Sequence, residues 1–317
     1  MKKNSLSGSA VSLVGHAIDV CGLRRSRMGR KLIAAINVVG QGAARLVYLR
    51  RRTPFFIDGH KIFLSGRNAP SWGFVDSVLH DQYEPETKVL LGSLIRPGMT
   101  VFDIGAHVGH YTLLAARIVG PMGRVYAFEP EPENFALLKR NVELNGYKNV
   151  TCVPKAVSDR SGTLDFYVSH QGNDRHTLIG DPHAPSHPTR RQVSAISVDD
   201  FAAESGCPAV DVIKMDVEGA EPFVLAGMTN LLRRSPHLRM VLEFAPEILR
   251  VGGTVPEEFV RALVASGFAI SPVEPGFNAA AFGEEHLAET MAEIERRGAI
   301  NLFCEKTPVF SAAAPQK

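Results

Sequence analysis

Asp103-Ile104-Gly105-Ala106-His107-Val108-Gly109 follows the apolar run Met99-Thr100-Val101-Phe102 and precedes a segment of helical periodicity over 111–119. Strand, glycine-rich turn and helix start are the succession that points backbone N–H groups at a ligand. A dinucleotide fingerprint would hold small residues throughout, so that a pyrophosphate can approach. Here the first glycine position is Asp103, and position 108 is Val. A carboxylate at the mouth of the turn repels phosphate and suits a cation. The turn argues against a nicotinamide dinucleotide and for a positively charged ligand without phosphate.

Working outward, the pattern is of strands alternating with helices. Upstream, 55–64 reads as a hairpin around Asp58-Gly59, and Pro85 starts a helix that runs to Leu94. Downstream, strands are expected over 124–128, 150–153, 164–168, 192–198, 210–217, 238–244, 268–270 and 300–305. Helices are expected over 133–144, 221–233 and 256–266. The stretch 271–299 reads as polar and irregular apart from its end. This alternation predicts an α/β fold, a mainly parallel seven-stranded sheet with helices on both faces and ligands outside the carboxyl ends of its strands.

Three such ends carry charge. Glu129 closes the second strand, twenty residues past Gly109, where a carboxylate can accept from both hydroxyls of a ribose and would repel a ribose phosphate. Together with Asp103 it points to S-adenosylmethionine (SAM), which carries a sulfonium, an ammonium and an unphosphorylated ribose. Gly105, Ala106, His107 and Gly109 would shape the turn, and Ser158 and Asp159, in Ala156-Val157-Ser158-Asp159, would face the adenine. The third end is Ile213-Lys214-Met215-Asp216-Val217-Glu218-Gly219-Ala220-Glu221. A strand running to Glu218 would put Lys214, Asp216 and Glu218 on one face, and charges there are costly to bury without a task. Glu221 is explained by the first turn of a helix. Glu243 would end a neighbouring strand and flank the same pocket.

Taken together, the 97–109 turn, Phe128-Glu129-Pro130, Asn141 with Asn145-Gly146, the 156–159 stretch, the 213–221 run and Asn301-Leu302-Phe303-Cys304 resemble the FkbM family of SAM-dependent methyltransferases. The resemblance covers roughly 80–306. It departs at His107, where the family usually shows Asn. It implies a Rossmann-like class I methyltransferase that methylates hydroxyls of sugars, glycans or secondary metabolites.

The residues themselves suggest a compatible mechanism. In-line methyl transfer needs orientation, exclusion of water and a base for the hydroxyl proton. Asp216 is the first choice of base, Lys214 would orient it or stabilise an alkoxide, and Glu218 and Glu243 would assist. The same carboxylates offer an alternative, an oxygen-ligated Mg²⁺ that acidifies the hydroxyl. His170, His176, His183 and His187, in the insertion 170–191, offer another base but read mainly as surface residues.

The formal charge of +2 hides an asymmetry. Residues 1–52 hold eleven Lys/Arg against Asp19 alone, whereas the remainder holds 24 basic and 32 acidic side chains. The expected organisation is a basic, partly helical extension over 1–52, a hairpin and lead-in helix over 53–98, a methyltransferase domain over 99–306 and a flexible tail over 307–317. The arm suits an anionic surface, membrane headgroups or nucleic acid. Its apolar stretches are too short to span a bilayer, and His16 and Asp19 interrupt any secretory signal. Cys21, Cys152, Cys207 and Cys304 form no CxxC pair and suit free thiols in a reducing, cytoplasmic setting. An RNA methyltransferase is the weaker alternative, because the catalytic portion is acidic and lacks an N-P-P-Y-type tetrapeptide. A non-enzymatic SAM-binding protein is the third reading.

Overall fold

The computed structural model describes residues 54–64, 83–168, 176–180, 189–207, 209–276 and 282–306, all in the unit Thr53–Lys317. The expectations for 1–52 and 307–317, and most of the insertion with His170, His183 and His187, fall outside the described residues.

Asp58-Gly59 closes an antiparallel hairpin of β1 (Phe55–Ile57) and β2 (His60–Ile62). Both turn residues are left-handed, at φ 49° and 82°, the conformation that matches the twist of two-residue hairpins. Helix α1 (Pro85–Leu94) follows. Then β3 (Thr100–Ile104), α2 (His110–Val119), β4 (Arg124–Phe128), α3 (Pro132–Leu144) and β5 (Val150–Val153) form two successive crossovers. β6 (Ala156–Ser158), β7 (Gly162–Val168) and β8 (Thr189–Ser197) make a separate three-stranded sheet in the order β6-β8-β7.

The chain then returns to the main sheet. It runs through α4 (Val198–Glu204), β9 (Val212–Met215), α5 (Glu221–Ala226), α6 (Thr229–Arg234), β10 (Arg239–Phe244), α7 (Pro246–Val251), α8 (Pro256–Ala265), β11 (Phe268–Pro272), α9 (Leu287–Arg297) and β12 (Ile300–Lys306). The main sheet has seven strands in the order β11-β12-β10-β9-β3-β4-β5. Neighbours from β10 to β5 are parallel, and β12 is antiparallel to both β10 and β11. Strand order reverses between β3 and β9. That switch point opens a crevice beyond their carboxyl ends.

Alternation along the strands builds two cores. Val101, Val125, Val212 and Val241 pack with Leu91 and Leu94 of α1 and Leu114 of α2. Phe102, Phe128, Ile213 and Met240 face the other way, with Phe201, Leu231, Phe259 and Ile294. The fully buried Phe102 ring lies 5.4–5.7 Å from the rings of Tyr126, Phe128 and Phe201. Burial on both faces makes these strands read as continuous apolar runs.

The structure corrects the sequence reading in four places. The strand expected over 210–217 stops at Met215, so Glu218 sits in a turn at φ 53° and period-two alternation does not place it. The helix expected over 221–233 breaks at Gly227, where a Cβ would come within 2.2 Å of the Ser158 carbonyl oxygen. Residues 156–158, outside the strands expected from the sequence, form β6 of the small sheet. Part of the polar stretch is α9, whose buried Leu287, Met291 and Ile294 recur at helical spacing among Glu and Arg;.

Candidate active site

A cleft open to solvent, with about 920 Å³ of space counting its open mouth, lies at the switch point. One end of it is built by the ends of β3 and β4. Gly105, at φ 84°, allows the first turn to press against the third: a Cβ there would fall 1.8 Å from the Asp216 carbonyl oxygen. The Asp216 N–H donates to the Ile104 carbonyl at 2.9 Å, closing the same contact. Asp103, 3 % exposed, lines the cavity with Gly105, Ala106, His107 and Glu129. Gly109 does not line it. It caps α2 at φ 94°, and its N–H donates to the Ala106 carbonyl at 2.8 Å.

His107 acts through its backbone. At φ 50° its N–H donates to Glu129 Oε2 at 2.9 Å, while the Glu131 N–H donates to Oε1 at 2.9 Å. Glu129 thus joins the turn to the second strand end. His, like Asn, tolerates a left-handed backbone better than most residues, so the departure at position 107 preserves the turn. Burial pushes the Asp103 carboxyl up to about 6, opposed by the Thr112 hydroxyl and by Lys214. Burial likewise pushes Glu129 up to about 8, opposed by the two N–H donors. Two nearly buried carboxylates beside a cavity gain most from a cation and a pair of hydroxyls. That is the demand SAM fulfils, with its sulfonium, ammonium and ribose.

The other end carries Lys214, Asp216 and Glu218, all lining the cavity. Lys214, 2 % exposed, places Nζ 3.3 Å from Asp216 Oδ2 and 5.4 Å over the Tyr111 ring. Burial disfavours its charge, but Asp216, Glu84, Glu243 and Asp103 offset that and hold the ammonium above the ordinary lysine value. Carboxylate oxygens of Asp216, Glu218 and Glu243 lie within 4.8 Å of one another. Burial, then the charges of Asp216 and Glu218, push the Glu243 carboxyl well up. Glu221 faces inward as a staple, accepting from the Val217 and Gly219 N–H groups at 3.1 and 3.4 Å.

Ser158 and Asp159 are not brought to the cavity. The Ser158 hydroxyl donates to Asp159, which pairs with Arg160 at 3.0 Å. Their neighbours Lys155, Ala156 and Val157 line it instead, with Asn134 of α3 and Phe166 of β7. Tyr83, His110, Tyr111 and Leu178 complete the wall and were not found by sequence reasoning, and His176, read as a surface residue, lines the cavity with them. They come from three segments far apart in the chain, none with a motif of its own. Glu84 stands just behind, left-handed at φ 42°, and accepts from Tyr111 Oη at 2.7 Å.

A parallel sheet that switches direction between β3 and β9, with no phosphate cradle and two buried carboxylates at that point, defines a class I SAM-dependent methyltransferase. Residues 103–267, more than half of the chain, match the Methyltransferase FkbM domain, and the protein belongs to that family.

The chain is 28% identical over 206 residues to the 31-O-demethyl-FK506 methyltransferase FkbM of Streptomyces tacrolimicus, covering 56% of this chain and 76% of that one. It is 28% identical to the 2-O-methyltransferase NoeI of Sinorhizobium fredii, covering 46% and 64%. It is 30% identical to the hexuronic acid methyltransferase AglP of Haloferax volcanii, covering 42% and 51%. The match thus spans about three quarters of the first relative and less than two thirds of the other two. Among the described residues no helix is long and apolar enough to cross a membrane, and Cys152, Cys207 and Cys304 are free.

Proposed function

We propose that the protein transfers the SAM methyl group to a hydroxyl of a sugar, glycan or secondary metabolite. One observation carries this reading: Asp103 and Glu129 at one end of the cavity and Lys214 with Asp216 at the other are held by three adjacent strand ends, those of β4, β3 and β9. The names of the relatives, a 31-O-demethyl-FK506 methyltransferase, a 2-O-methyltransferase and a hexuronic acid methyltransferase, support a hydroxylated acceptor.

Asp103 would meet the cationic end of the cofactor, and Glu129 its ribose. Gly105, Ala106 and His107 would line it with backbone, and Gly109 would set the turn. Bound SAM supplies a methyl carbon activated by its sulfonium, which departs as a neutral thioether once the acceptor oxygen takes the methyl. Asp216 would accept the hydroxyl proton as the O–C bond forms. Lys214 would keep Asp216 oriented and the oxygen's developing charge stabilised. Glu218 and Glu243 would shape the acceptor side, with Tyr83 and Tyr111 excluding water.

Calorimetric titration with SAM, followed by transfer of labelled methyl to a panel of polyols and glycosides, tests the reading. Binding without transfer by Asp216→Ala supports it; absence of SAM binding by the wild-type protein overturns it.

One observation favours a second use of the same end. Asp216, Glu218 and Glu243 are close enough to share a divalent cation, and Mg²⁺ there would lower the hydroxyl's pKa. Undiminished turnover after dialysis against EDTA overturns it.

For the basic arm, the charge of 1–52 supports contact with an anionic lipid surface. Retention on phosphatidylserine vesicles that is lost on deleting the arm is the expected result, and equal retention overturns it.

A further inference from the structure

The first turn of α2 sends three successive side chains to three different partners. His110 Nε2 lies 3.6 Å from Asp58 Oδ2 of the hairpin, and the Tyr111 hydroxyl donates to Glu84. The Thr112 hydroxyl donates to Asp103 Oδ2 at 2.5 Å, from a side chain with no exposure to solvent. A threonine inside a helix commonly returns its hydroxyl to a carbonyl of the preceding turn. Thr112 reaches across to β3 instead, where its backbone N–H also donates to Asp103, a carboxylate with 3 % exposure to solvent. A hydroxyl that donates to a carboxylate makes a charge-assisted bond. It fixes the rotation of a carboxylate that lines the cofactor end of the cavity.

We propose that Thr112 is a positioning residue for the cofactor: its hydroxyl holds the Asp103 carboxylate in the rotation and the ionised form that receive the cationic end of SAM. The inference rests on the reading of Asp103 as a SAM residue. Thr112 itself does not line the cavity and acts through Asp103 alone.

The groups around Asp103 explain why a donor is needed there. Burial pushes its carboxyl up to about 6, Thr112 and Lys214 draw it down, and Asp216 pushes it up. Glu129 and Cys152 also feel its charge from β4 and β5. Lys214 is the single cation among these neighbours and is already paired with Asp216. Without the Thr112 hydroxyl, the Asp103 carboxyl rises further and takes up a proton nearer to neutrality.

Thr112→Val keeps the shape and removes the donor, while Thr112→Ser keeps the donor and trims a methyl. Titration calorimetry with SAM from pH 5.5 to 8.5 separates the two. The expected result at pH 7 is SAM binding weaker by about tenfold in Thr112→Val and within about twofold of wild type in Thr112→Ser. The pH at which affinity levels off should move upward in Thr112→Val only.

Equal affinity and an unmoved pH profile in Thr112→Val overturn the proposal. So does equal weakening by both substitutions, which would mark a packing role. Thermal unfolding of each variant confirms that the folded protein is being titrated, and an unfolded Thr112→Val leaves the pH profile of Thr112→Ser to decide: one displaced upward from wild type overturns the proposal, one that coincides supports it. If Asp103→Asn binds SAM as tightly as wild type, the reading of the site fails; if it binds weakly while Thr112→Val binds normally, this inference alone fails.

Discussion

Asp103 and Lys214 face each other across adjacent parallel strands, paired in register on β3 and β9. One step further on, Ile104 pairs with Met215, and Gly105 then packs against the Asp216 carbonyl. The Asp103 carboxylate and the Lys214 ammonium are therefore separated by a backbone spacing, not by flexible loops. A site built on strand ends holds its geometry more tightly than one built on loops.

Gly105→Ala should abolish both SAM binding and turnover. The new Cβ would lie 1.8 Å from the Asp216 carbonyl oxygen at a left-handed φ of 84°, so two strand ends must separate to admit it. Calorimetry with SAM and an unfolding curve check this, with loss of binding expected in a protein that still folds.

Asp103→Ala and Glu129→Ala should weaken SAM binding, whereas Asp216→Ala should leave SAM affinity largely unchanged and cut turnover by about a hundredfold or more, the ordinary scale for a proton acceptor. An Asp216→Ala protein that loses SAM yet turns over at saturating cofactor would sink the assignment.

Glu84→Gln should lower turnover while leaving SAM affinity intact. Glu84 accepts from Tyr111 and adds a negative charge near Lys214, at the acceptor end only. Turnover and SAM affinity measured on the same preparation decide it. Equal losses in both would place Glu84 at the cofactor end.

The pH dependence follows from three buried carboxyls, Asp103 pushed to about 6, Glu221 to about 7 and Glu129 to about 8. Each has a folded value above its unfolded one, so each favours the fold while protonated. Their contribution is complete below about pH 4 and is lost as pH rises through 6 to 8. The ligand-free protein should therefore melt at lower temperature at pH 8 than at pH 5.5. A cationic ligand prefers the ionised carboxyls, so the increase in melting temperature with SAM should grow over the same interval. Thermal scans with and without SAM measure both trends, and a SAM effect that shrinks toward pH 8 contradicts the roles given to Asp103 and Glu129.

Phe102→Ala should cost about 3–5 kcal/mol of stability in urea unfolding, since the ring is fully buried among three other aromatic rings;.

Much of the fold is legible in the chain because local rules and tertiary packing agree. The Asp58-Gly59 hairpin, the Pro85 helix start and the apolar runs of β3, β4 and β10 announce themselves through turn chemistry and burial on both faces. The failures have equally local causes. Gly227 ends a helix because a strand from another sheet passes against it. α9 hides its apolar seam among Glu and Arg, which lowers the mean hydropathy of the stretch. At the site, the charged strand ends were readable, since a buried charge on an apolar strand stands out. The aromatic wall was not, because Tyr83, Tyr111 and Phe166 carry ordinary core chemistry.

The sequence by itself determined the sign of the cofactor: Asp103 and Glu129 place carboxyl groups at successive strand ends, where a phosphate binder would hold glycine and small residues. Only the tertiary structure decided what those residues touch. It made His107 a backbone donor, joined Asp103 to Thr112, moved Glu218 off the strand and withdrew Ser158 and Asp159 from the cavity. Charge is a property of residue type and survives in a string of letters. Register, backbone handedness and the approach of distant segments arise only when the sheet assembles.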